Sequence, residues 1–129
     1  VRTPDPDIGQ LGEDAASRWL EARGWTVIAR RERVAGVEVD IIAADPDASA
    51  LVVVEVKSRR APRGGRGESV RPEESVNRAK LARLTRAACA LEPRARRMGL
   101  SVRVDAIAVR ICSDGPAAAR IDHFPDATA

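Results

Sequence analysis

The sequence predicts an α/β domain, a mixed sheet with helices packed against it, and three observations carry this. An amphipathic helical pattern comes first, three β-type runs follow, and a second helical pattern separates these from one or two more runs. The run from Leu51 to about Ser58 is the most apolar stretch of the chain, as a strand deep in a sheet should be. At 129 residues the chain has the length of a single domain with one core, spanning 1–129.

Each element has its own signal. Val1 to Pro6 reads as a loose leader ahead of Asp7. Asp7 with Gln10 resembles a weak capping box and opens a helix from about Ile8 to Arg23. Leu11, Ala15, Trp19 and Ala22 mark its apolar stripe, Ala16 and Leu20 widen it, and Gly24 ends it. Trp25 to about Arg33 is the first strand, followed by a turn near Ala35-Gly36. Val37 to Ala43 is the second, and Asp45-Pro46-Asp47 is a turn signal before the third. PRGGRG, within a basic stretch over 60–72, reads as a flexible loop with nothing to pack. A second helix is expected from Pro72 or Glu73 to Leu91, stopped by Pro93. Ser101 to Ile111 alternates as a fourth strand, and Arg120 to Phe124 is a short fifth on an edge.

Composition narrows the function classes. Hydrophobic content of 44% and charged content of 32% are those of a soluble globular protein rather than a disordered one. No apolar run reaches the length of a membrane span, and the start carries no signal-peptide pattern. Cys89 and Cys112 lack metal-ligand spacing and read as reduced, partly buried residues of a cytoplasmic protein. The scarcity of aromatics (Trp19, Trp25 and Phe124) argues against a single-strand binder that stacks bases. Net charge is only +3, but arginines crowd the middle of the chain, including Arg59, Arg60, Arg63 and Arg66, a stretch suited to phosphate backbones or to a solvated face.

Strand alternation places the candidate chemistry. Val52, Val54 and Val56 are expected on one face and Val53, Glu55 and Lys57 on the other. Glu38 and Asp40 are expected to share a face of the preceding strand, opposite Val37, Val39 and Ile41. An antiparallel hairpin around Pro46 would set Asp40 roughly opposite Glu55, where like charges destabilise the ladder. A divalent cation between them would remove that penalty, and hard oxygen ligands suit Mg²⁺ or Mn²⁺. Lys57 would polarise the attacking water or stabilise charge on a phosphate. The competing reading makes both carboxylates solvated strand ends paired with Lys57 and Arg59. Glu13 lies at the margin of the first helix's apolar stripe, either as a further ligand or as an early-turn glutamate. Lys80 falls where an apolar residue belongs in the stripe of Val76, Leu84, Ala87 and Leu91, and either snorkels or reaches a phosphate. Arg103 and Asp105 share a face as an ion pair. His123 makes a poor ligand or general base, and the glycines of PRGGRG do not form a P-loop.

Taken together, several segments resemble the YraN-like bacterial family of the PD-(D/E)XK restriction-endonuclease-like superfamily. They are Gly9-Gln10-Leu11-Gly12-Glu13 with Ala15-Ala16, Glu38-Val39-Asp40-Ile41-Ile42-Ala43, Val54-Glu55-Val56-Lys57 with Arg59, Val76 with Lys80, and Arg103-Val104-Asp105. The resemblance implies a restriction-endonuclease-like mixed central sheet flanked by helices, similar to archaeal-type Holliday junction resolvases. It also implies a metal and water site of Asp40, Glu55, Lys57 and Glu13, with the Val56 carbonyl as a further ligand. Three positions depart from the family pattern: Val37 for a glycine, Arg31 for an asparagine, and Arg66-Gly67 for an aromatic-glycine pair.

The leading expectation is a Mg²⁺- or Mn²⁺-dependent endonuclease acting on nucleic acid, DNA including branched or damaged DNA. Arg59, Arg60, Arg63, Arg66 and Lys80 would contact phosphates, and symmetric cutting would favour a homodimer. The alternatives are a non-catalytic nucleic-acid-binding or assembly module on the same fold, and a protein-interaction domain.

Overall fold

A computed structural model describes residues 7–60, 77–112 and 115–127. Helix α1 (Ile8–Ala22) is followed by β1 (Thr26–Val34), β2 (Val37–Ala44), β3 (Ala50–Arg60), helix α2 (Arg78–Arg97), β4 (Ser101–Cys112) and β5 (Gly115–Phe124). The five strands form one sheet in the order β1-β2-β3-β4-β5. β3 and β4 run parallel, and the other three pairs are antiparallel. This is the mixed α/β arrangement expected from the sequence, with strand ends shifted by one or two residues and β5 five residues longer at its start.

Each helix covers one face. On one, Ala15, Ala16 and Leu20 of α1 pack with Trp25, Ile41, Ala43, Val52, Val54, Ile107 and Val109. On the other, Leu84, Ala87, Ala88, Leu91 and Ala95 of α2 pack with Val37, Val39, Ile42, Leu51, Val53 and Val104. β3 therefore contributes alternate residues to two separate cores, which is why it reads as a continuous apolar run. No described helix is long and apolar enough to cross a membrane.

Local chemistry sets the boundaries. The Asp7 carboxylate accepts the Gly9 N–H and caps α1, but Gln10 bonds forward to Asp14, so the expected capping box is only half formed. Ala35 and Gly36 both have positive φ, 51° and 78°, and join paired Val34 and Val37 in a two-residue hairpin turn of the type such angles build.

Two expectations need correction. Pro93 does not stop α2: the helix continues to Arg97, because Leu91 and Ala95, buried on either side of Pro93, hold the last turns against the sheet. Within the described residues the helix begins at Arg78, capped by the Asn77 side chain on the Lys80 N–H; a start at Pro72 or Glu73 lies outside them. Nor do Val37, Val39 and Ile41 share a face, since Val37 and Val39 join the core under α2 while Ile41 joins that under α1. The strand changes sides at Asp40. Its neighbour on β1 at this point is Arg31, which has a φ of 52° and interrupts the pairing between Arg30–Ile41 and Glu32–Val39.

Candidate active site

The hairpin register decides which acids meet. Ile41 pairs with Val54, so continuing the ladder by one step sets Asp40 against Glu55. Asp40 Oδ2 accepts the Val56 N–H at 2.8 Å, where a backbone carbonyl would otherwise sit, and this holds the carboxyl against β3. Glu55 is 3% exposed, on the α2 side of the sheet beside Val53. From α2, Lys80 reaches over to form an ion pair with Glu55 Oε1. Lys80 thus does not merely snorkel to solvent: its ammonium lies against a buried carboxylate.

Electrostatics at this pair are unbalanced. Burial, followed by the charge of Glu55 and a hydrogen bond shared with it, pushes the Asp40 carboxyl up to about 7, against the opposing pull of the Val56 N–H and Lys80. One ammonium does not neutralise two adjacent carboxylates. The donor chemistry fits a hard divalent cation, because Mg²⁺ is commonly held by one or two carboxylates with water completing its shell. Asp40 and Glu55 are the residues that would hold it.

The remaining expected residues are placed differently. Glu13 is buried on α1, but Arg31 Nε donates to its Oε1 at 3.1 Å and its Oε2 at 3.3 Å, and Arg30 Nη2 lies 3.9 Å away. Among the described residues, no group of three or more His, Cys, Asp or Glu is placed to hold a metal, so Glu13 does not join Asp40 and Glu55 in a ligand set. Lys57 is exposed and has no ion-pair partner among the described residues. Val56 contributes its N–H to Asp40. Arg59 and Arg60 are exposed at the end of β3, whereas Arg63 and Arg66 lie outside the described residues.

Sequence reasoning missed two arrangements. The role of Arg31 as partner of Glu13 depends on its left-handed backbone, a conformation asparagine adopts more readily than arginine. A second polar cluster surrounds fully buried Asp105. Arg103 Nε donates to its Oδ1 at 2.9 Å, His123 Nε2 lies 2.8 Å from its Oδ2, and the Asp126 N–H donates to Oδ1. Burial pushes the Asp105 carboxyl up, but His123, Arg103 and the Asp126 N–H together hold it below the usual carboxylate value. The Arg103–Asp105 ion pair was legible from strand alternation. The place of His123, edge-on to Trp19 and Trp25, depends on β4–β5 pairing and could not be read locally. Cys89, expected to be partly buried, is exposed; Cys112 is half-buried, and both are free thiols.

Comparison with known proteins places the chain in a family. The model of the uncharacterised protein family UPF0102 matches residues 12–109, a span that includes Glu13, Asp40, Glu55, Lys57 and Lys80. A UPF0102 protein of Beutenbergia cavernae is 40% identical over 117 residues, covering 91% of this chain and 92% of its own. One from Rhodopirellula baltica is 35% identical over 120 residues, 93% of this chain and 69% of its own. One from a Mycobacterium species is 43% identical over 105 residues, 81% of this chain and 73% of its own.

Proposed function

The chain belongs to the uncharacterised family UPF0102, the family of the YraN-like proteins it resembles in sequence, and we propose that it is a divalent-metal-dependent endonuclease hydrolysing phosphodiester bonds of DNA. The observation that carries this reading is the Asp40–Glu55 pair, two adjacent carboxylates for which the Lys80 ammonium, paired with Glu55, is the ion-pair partner among the described residues. A purely structural role gains little from two carboxylates set together, where burial first and the charge of Glu55 second lift Asp40 to about 7. Mg²⁺ or Mn²⁺ held there would acidify a bound water and polarise a phosphoryl oxygen.

The chain's own side chains supply the rest. Lys57 stands two residues beyond Glu55 on β3 and is exposed, able to orient a water or meet charge developing on the phosphate. Arg59 and Arg60 continue the same strand as phosphate contacts that position the substrate without reading its sequence. Glu13 is engaged by Arg31 rather than by the proposed metal. Symmetric cutting of both strands would call for two copies. The free thiols suit a reducing compartment, the cytoplasm.

The Lys80–Glu55 ion pair favours a second reading, a DNA-binding module in which Lys80 is a structural counter-ion. A cleavage assay separates the two. Linear and branched DNA incubated with Mn²⁺ or Mg²⁺ is cut by the wild type, and Lys57→Ala lowers the rate by about 100-fold or more without changing the circular dichroism. Salt-dependent DNA binding with no cleavage under any of these conditions would favour the module.

A further inference from the structure

Beside the carboxylate pair lies a cavity of about 220 Å³ lined by Arg33, Gly36, Val37, Glu38, Lys80, Arg83 and Leu84. Its walls are the β1–β2 turn and the first turns of α2, and Lys80 is common to the cavity and to Glu55. Resting on the proposed metal site, we propose that this cavity is a phosphodiester subsite for a nucleic-acid strand, opened by release of Lys80 from Glu55 when a divalent cation binds.

Charge supports that order of events. Three cations and one carboxylate line the cavity, but Lys80 is committed to Glu55, and Glu38 stands opposite Arg33 in the β1–β2 register. Among the described residues, the Arg33 side chain donates only to the Gly36 carbonyl, at 3.3 Å, and exposed Arg83 has no ion-pair partner. As it stands the cavity carries little net positive charge. A dication at Asp40 and Glu55 replaces the ammonium as counter-charge, and Lys80 then adds to Arg33 and Arg83. Arginine guanidinium groups are well matched to phosphate oxygens, and lysine serves as a point charge. The two events are linked, so each must tighten the other by the same factor.

Fluorescence anisotropy of a labelled DNA oligonucleotide on the full chain, at fixed low salt with Mg²⁺ or with a chelator, tests this alongside a calorimetric Mg²⁺ titration. Mg²⁺ tightens wild-type binding several-fold. Arg83→Gln and Arg33→Gln each weaken it by about tenfold, the scale of one lost charge-assisted contact. Lys80→Gln retains Mg²⁺ binding but removes the Mg²⁺-dependence of DNA affinity. Unchanged DNA affinity in both arginine variants, with Mg²⁺ binding intact, overturns the subsite and leaves the proposed function standing. No Mg²⁺ binding in the wild type overturns the linkage together with the metal site. Displacement of the oligonucleotide by inorganic phosphate at equal phosphate concentration would assign the cavity to a free anion and overturn the strand assignment.

Discussion

At Asp40 the energetics of a single carboxyl link the fold to the site. Burial and the charge of Glu55 raise it to about 7 from an ordinary value of 3.8, so folding favours its protonated form. The stability owed to this group is complete below pH 3.8, declines as pH rises, and is lost once pH passes about 7. Urea unfolding of the metal-free protein should show this decline, and Asp40→Asn, neutral throughout, should remove that part of the slope. Equal slopes in the two proteins would mean that Asp40 is not held against Glu55. The pairing itself was legible, because a strand period of two and a short hairpin place position 40 near position 55. The capture of Glu13 by Arg31 was not, since it depends on a left-handed residue and an interrupted ladder that no local pattern announces. Lys80 was conspicuous as a charge in an apolar stripe, yet only the packing of α2 on β3 identifies Glu55 as its partner.

Among the elements, the docking of α1 on β3 positions Glu13, and it depends on Gly12. A Cβ at Gly12 would lie 1.7 Å from Ser58 Oγ and 2.7 Å from Ser58 Cβ, a clash that rotating the hydroxyl cannot relieve. Gly12→Ala should therefore push the helix away from the strand and cost about 1–3 kcal/mol, the range of overpacked sites. Ser58→Gly in the same chain should recover most of it, a coupling visible in thermal melts of the four proteins of the cycle. Additive effects would show that helix and strand do not meet at this point. Helix and strand identities were readable from periodicity, but the end of α2 was not. A proline normally breaks a helix at a cost of about 3 kcal/mol, and here burial of Leu91 and Ala95 outweighs it. The Arg94–Glu32 ion pair at 3.0 Å adds a tie from this last stretch to β1.

For the molecule as a whole, one sheet separates two cores, and the carboxylate pair lies between the interior strands β2 and β3. The mixed topology was legible because α2 separates β3 from β4, and a parallel pair needs such a crossover. Charge distribution was less informative: the modest net charge conceals cations already spent on Glu13, Glu32, Glu55 and Asp105. A cation at Asp40 and Glu55 would tie β2 to β3 and stabilise the native state by mass action. The most direct measurement is a calorimetric titration of Mn²⁺ into the wild type and into Asp40→Ala at pH 7. Saturable binding by the wild type, with proton release from Asp40 and loss of binding in the variant, is the result this site predicts. Equal binding in the two proteins, or none in either, would contradict it.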